Sequence, residues 1–120
     1  MKAPKSPAIR LIIVVGPTAV GKTSAGIQLA QRFGGEIISA DSMQIYRYMD
    51  IGTAKPTPAE QRQVRHHLID VVDPDAPFDA GRFGELARQA IADIHARGKL
   101  PVIVGGTGFY VKALLYGLFP

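Results

Sequence analysis

The stretch Gly16-Pro17-Thr18-Ala19-Val20-Gly21-Lys22-Thr23 fits G-x-x-x-x-G-K-[ST], the pattern of a phosphate-binding loop. Its flanks suit that reading. Leu11-Ile12-Ile13-Val14-Val15 is an apolar, β-branched block that reads as a buried strand, and Ser24 to Phe33 reads as a helix. Glycine at 16 and 21 lets the backbone curl and approach a ligand with no Cβ in the way. The curled loop aims N–H groups at an anion, at the positive end of the following helix. Lys22 adds a full charge, and the Thr23 hydroxyl can ligate Mg²⁺. The pattern points to phosphate or diphosphate binding. It leaves open which phosphate is held and which bond breaks.

The rest of the chain repeats the strand-then-helix alternation. Ala8 to Val15 is expected as the first strand, behind a loose tail over 1–7. In the helix after the loop, Ile27, Leu29, Ala30 and Phe33 form the apolar side, and Gly34-Gly35 ends it. Glu36 to Ala40 reads as a second strand. Asp41-Ser42-Met43-Gln44 follows its carboxyl end, the end where ligands sit in open parallel α/β sheets, so Asp41 is expected to face the phosphate loop. Thr57-Pro58-Ala59-Glu60 spells a helix start with a capping box. His67 to Val72 reads as a third strand. His66 and His67, if both lie in a strand, point to opposite faces and do not chelate one metal; both read as structural.

Asp79 caps the clearest helix. Phe83, Leu86, Ala87, Ala90, Ile91 and Ile94 make one stripe at helical spacing, and Gly98 stops it. Leu100 to Val104 is a fourth strand. Gly105-Gly106-Thr107-Gly108 repeats the strand-to-glycine-loop pattern, with a last helix over Phe109 to Tyr116. This order predicts an α/β fold of the P-loop NTPase type: three layers, a mostly parallel sheet with helices on both faces, over residues 8–120.

The totals exclude several classes. Without cysteine there are no disulfides or thiolate metal sites, which suits a cytoplasmic protein. No apolar run approaches a membrane span, and residues 1–10 lack the apolar core of a signal peptide. A net charge of +4 is compatible with a polyanionic partner such as RNA, but so are many small basic proteins that bind none.

Five stretches, in order, resemble one family. They are the loop from Gly16 to Thr23, Ser39 to Arg47, Asp50 to Pro56, His66 to Asp70, and Gly105 to Tyr110. Together they resemble the tRNA dimethylallyltransferases, also called tRNA isopentenyltransferases. The resemblance implies transfer of a dimethylallyl group from dimethylallyl diphosphate to N6 of the adenosine 3′ to the anticodon in tRNA, with Mg²⁺. The glycine loop (Gly16, Pro17, Thr18, Ala19, Val20, Gly21, Lys22, Thr23) would then hold the allylic diphosphate, and Asp41 would act as general base. Asp41, Ser42, Met43, Gln44 and Thr107 would touch tRNA at its anticodon stem-loop. Thr107 would join Asp41 and Lys22 among the catalytic residues, and Thr23 would meet the metal. The family is longer, with a helical insertion and a later Gln-Arg motif, so a piece of a longer, monomeric enzyme is expected.

Residue by residue, blander roles stay open. Asp41 could hold a Mg²⁺ ion through its coordinated water or cap a helix, Ser42 could be a turn hydroxyl and Thr107 a helix cap. Arg47 and Lys55 could contact phosphate or RNA, although a solvated face is the ordinary state of such side chains. Three other functions remain: prenyl transfer to free AMP or ADP, a small phosphate-loop kinase with ATP in the loop, and a non-enzymatic diphosphate-binding half-domain. The absence of an evident Arg-rich lid weakens the kinase.

Overall fold

A computed structural model describes residues 10–15, 22–41, 44–47, 55–73, 75 and 79–105. The tail over 1–7, the glycine loop from Gly16 to Gly21, Ser42, Met43, Thr107 and the last helix lie outside the described residues.

Four strands form one sheet: β1 (Ile12–Val15), β2 (Gly35–Ala40), β3 (His66–His67) and β4 (Leu100–Gly105). Their order is β1-β4-β2-β3, and every pairing is parallel. All carboxyl ends therefore fall at one edge of the sheet. Three helices connect them: α1 (Lys22–Phe33), α2 (Pro58–Gln63) and α3 (Ala80–Ala96).

Period-2 alternation sorts the strand residues between two faces. In register, Ile12, Val102 and Ile37 lie side by side, as do Ile13, Ile103 and Ile38. The first row packs with Ile27 and Ala30 of α1. The second packs with Phe83, Ala87, Ile91 and Ile94 of α3. One helix covers each face, giving the three layers. The fold is the P-loop-like α/β type expected from the alternation of strand and helix. β2 and β4 are buried almost throughout, as central parallel strands must be.

The helix ends follow their local chemistry. Thr57 caps α2: its Oγ1 accepts the Glu60 N–H at 3.1 Å, while its own N–H donates to Glu60 Oε1 at 2.8 Å. Asp79 Oδ1 accepts the Arg82 N–H at 2.8 Å at the start of α3. Gly34 (φ 66°) and Gly98 (φ 74°) take left-handed conformations just past α1 and α3.

Three expectations need correction. The first strand begins at Ile12, since Arg10 and Leu11 are outside it. Phe33 is 53% exposed rather than core, with the Arg32 guanidinium over its ring at 5.7 Å. It is the last residue of α1. The third strand is only His66–His67. Past it, Leu68 (φ 66°) and Asp70 (φ 58°) are left-handed, which breaks any extended run. Val72 makes an isolated parallel bridge to Tyr46.

At the amino end of the sheet, Glu36 is buried and answered by charge. Arg97 grips it with two hydrogen bonds, at 2.6 and 2.8 Å, and His67 Nε2 lies 2.7 Å from Oε1. Arg97 also bonds Asp93 at 2.8 Å. The Arg97 hydrogen bonds, against the opposing effect of burial and with help from His67, bring the Glu36 carboxyl down to about 2. A carboxyl whose folded pKa lies below its unfolded value stabilises the fold above the unfolded pKa. That stability is lost as pH falls from about 4.5 through about 2. Glu36→Gln is expected to lower stability at pH 7 by about 1–3 kcal/mol, the cost of a spoiled buried charge contact. It should also flatten stability across pH 4.5 to 2. Denaturant midpoints measured against pH check both, and an unchanged acid slope would contradict the assignment.

Candidate functional site

The site lies at the carboxyl edge of the sheet. α1 begins two residues earlier than its sequence suggests, so Lys22 and Thr23 form its first turn. The helix presses closely on the sheet there. A Cβ at Gly26 would lie 2.6 Å from Val104 Cγ2, so only glycine allows this approach without a shift. Asp41 follows the last residue of β2 directly. The parallel sheet thus brings the end of β2 and the start of α1 to one place.

They meet in a cleft at that edge. Lys22, Thr23, Asp41 and Gln44 line it, together with Ser39, His66 and apolar Ile37, Pro56 and Val104. Of the residues singled out from the sequence, these first four are gathered by the fold. Asp41 is half-buried at the cleft. Its Oδ1 accepts the Gln44 N–H at 3.1 Å, so the carboxylate also closes the turn that follows it. Gln44 is buried, and its Oε1 accepts the Ser39 hydroxyl at 2.8 Å. That bond turns the Gln44 amide group and roots the turn in β2.

Ser39 and His66 are the polar lining side chains that sequence reasoning missed. Histidines 66 and 67 do divide between the two faces: His67 reaches Glu36 on the α3 side, and His66 lines the cleft. His66 Nδ1 lies 2.7 Å from the Val64 carbonyl, which can only accept, so Nδ1 carries the proton. Nε2 is then an acceptor, buried with no partner among the described residues. Burial holds the His66 imidazole below its ordinary pKa, with the Val64 bond opposing. The ring is neutral near pH 7 and supplies no charge to an anion.

Lys55 and Arg47 do not face the cleft as free cations. The Lys55 side chain is 8% exposed and its Nζ bonds the Tyr46 carbonyl at 2.6 Å and the Asp70 carboxylate. The solvated face does not describe it. Arg47 is exposed and pairs with Asp73 at 3.0 Å.

Chemically, one wall of the cleft carries an ammonium and a hydroxyl at a helix amino end, and another carries a carboxylate. The first suits a phosphate oxygen or a hard cation, the second a proton in transit. Among the described residues no three His, Cys, Asp or Glu side chains gather to hold a metal. An ion such as Mg²⁺ that takes few protein ligands, and the rest from phosphate and water, fits this donor set.

The IPP transferase family profile matches residues 44–120, well over half the chain. The chain belongs to the IPP transferase family. It is 66% identical over 110 residues to tRNA dimethylallyltransferase 2 of Syntrophus aciditrophicus, covering 92% of this chain and 35% of that protein. It is 62% identical, over the same length and shares, to the tRNA dimethylallyltransferase of Desulfosudis oleivorans. Among solved structures it superposes on the tRNA isopentenylpyrophosphate transferase of Bacillus halodurans with a TM-score of 0.87 and 54% identity, covering 92% of this chain and 36% of that one. A eukaryotic dimethylallyltransferase acting on tRNA gives 0.83 at 42% identity, covering 89% and 27%. The chain therefore spans about a third of the length of the relatives it matches. No helix among its described residues is long and apolar enough to cross a membrane.

Proposed function

We propose that this chain supplies the donor-binding and base-bearing part of a tRNA dimethylallyltransferase. The enzyme transfers the dimethylallyl group of dimethylallyl diphosphate to N6 of the adenosine 3′ to the anticodon, as a cytoplasmic monomer. One observation carries the reading: Lys22, Thr23 and Asp41 line the same cleft. The relatives' names supply the chemistry, since they are tRNA dimethylallyltransferases.

In the reaction the allylic C–O bond breaks and its electron pair goes to the diphosphate oxygen. The N6 lone pair forms the new C–N bond, and the N6 proton passes to the Asp41 carboxylate. Charge grows on the leaving diphosphate, where Lys22 and the amino end of α1 stabilise it. The adenine amine is a weak nucleophile, so a carboxylate that removes its proton as the bond forms is useful. Thr23 would hold Mg²⁺ with the diphosphate, and the ion would neutralise part of the leaving charge. Gln44, anchored by Ser39, presents an amide suited to a base or a phosphate. Ser42, Met43 and Thr107 extend the tRNA contact in this proposal, and Gly16 to Gly21 complete the diphosphate cradle.

The test supplies dimethylallyl diphosphate with Mg²⁺ to the longest chain carrying this sequence and compares tRNA, AMP and no acceptor. Prenylated adenosine in tRNA alone is the expected result. Product from AMP redirects the acceptor to free nucleotide. ADP release from ATP with a small acceptor means a kinase, and overturns the proposal.

A further inference from the structure

Two non-glycine residues with positive φ stand two apart, Leu68 and Asp70, directly after β3. Leucine disfavours this region more than aspartate does, and such residues persist where their surroundings hold them. Asp70 is held here by the segment that follows Asp41. The Asp70 N–H donates to the Gln44 carbonyl at 3.1 Å. Val71 and Val72 N–H groups donate to the Ile45 carbonyl at 2.9 and 3.1 Å, and Arg47 N–H donates to the Val72 carbonyl at 2.8 Å. Arg47 Nε adds a bond to the Asp70 carbonyl at 3.1 Å.

Lys55 closes the arrangement. It precedes Pro56, a wall of the cleft, and its ammonium donates to Tyr46 on one segment and Asp70 on another. A continuous chain of contacts results. Lys55 grips the Asp70 carboxylate, the Asp70 N–H holds the Gln44 carbonyl, and the Gln44 N–H holds the Asp41 carboxylate.

We propose that Asp70 and Lys55 are positioning residues for proton transfer at Asp41. They touch no substrate. They fix the 44–47 segment, whose Gln44 N–H holds the Asp41 carboxylate, against the 55–57 segment, so that the carboxylate and the Pro56 wall keep a set separation. This inference rests on Asp41 as the general base.

The test measures kcat, KM for the allylic diphosphate and thermal midpoint in the longest chain carrying this sequence. Asp70→Asn keeps a residue that tolerates the left-handed backbone and removes the charge. It should lower kcat by about 10–100-fold, the scale of a small misplacement of a reacting group. KM for the diphosphate should stay within about two-fold, because Lys22 and α1 are not part of the clamp. Lys55→Met should do the same, and it carries the test if Asp70→Asn does not fold. The double variant should lose no more than the larger single loss, since the two side chains act as one unit. Asp70→Asn and Lys55→Met turning over at the parent rate would overturn the proposal. So would kcat and diphosphate affinity falling together, the mark of general loosening. Asp41→Asn runs alongside: if it is active, the reading of the base fails, whereas an inactive Asp41→Asn beside a fully active Asp70→Asn removes the clamp alone.

Discussion

Asp41→Asn is expected to lower kcat for prenyl transfer by about 10²–10⁴-fold, the usual share of a general base, with dimethylallyl diphosphate binding retained. Asparagine keeps the shape, and its Oδ1 can still accept the Gln44 N–H that Asp41 accepts at 3.1 Å. The turn should therefore survive while the proton acceptor is lost. An amide does not take a proton near neutral pH, so the amine must attack while still carrying it. Saturating both substrates and following single-turnover formation of prenylated adenosine isolates this step. Asp41→Ala would lose the turn bond as well and mix the two effects. A rate near that of the parent would move the base elsewhere in the cleft.

Lys22→Ala should act differently. The ammonium sits in the first turn of α1, where the helix dipole already favours an anion. It meets the diphosphate both before and during C–O cleavage, and more strongly as charge develops. Both affinity and rate should fall, with kcat/KM for the donor down about 10²–10³-fold, as when a single charge-stabilising donor is removed. Lys22→Arg should not restore it fully, because a planar fork does not occupy the place of a compact ammonium. Steady-state kinetics with varied dimethylallyl diphosphate check this. A change confined to tRNA affinity would contradict it.

Much of the fold was readable because its signals are local. β2 and β4 are short apolar runs bounded by glycine or turns, as central parallel strands must be. The stripe from Phe83 to Ile94 states a helix and its buried face, and Asp79 and Thr57 announce helix starts by their side chains. The third strand was misjudged for a nonlocal reason. Leu68-Ile69-Asp70-Val71-Val72 has strand-like composition, but its backbone bonds go to Gln44 and Ile45, more than twenty residues away. Those partners hold the backbone from Asp70 onward, and nothing within the stretch encodes them.

The site divides the same way. Lys22, Thr23 and Asp41 follow from a motif and from the rule that ligands sit at carboxyl ends of parallel strands. His66 needed the register: pairing with Ile37 turns it toward α1 and the cleft. Lys55 needed a partner fifteen residues on, since a lysine reads as solvated until its carboxylate contact is seen. Ser39 looked like one more strand residue until Gln44 folded back over it.

The separation of grip from proton removal is most directly tested by calorimetric titration of dimethylallyl diphosphate, with Mg²⁺, into the parent protein, Asp41→Asn and Lys22→Ala. Donor affinity in Asp41→Asn should match the parent, and in Lys22→Ala it should fall at least about ten-fold, the scale of one lost charge-assisted contact. Unchanged affinity in Lys22→Ala, or a loss confined to Asp41→Asn, would contradict the division of labour described for this cleft.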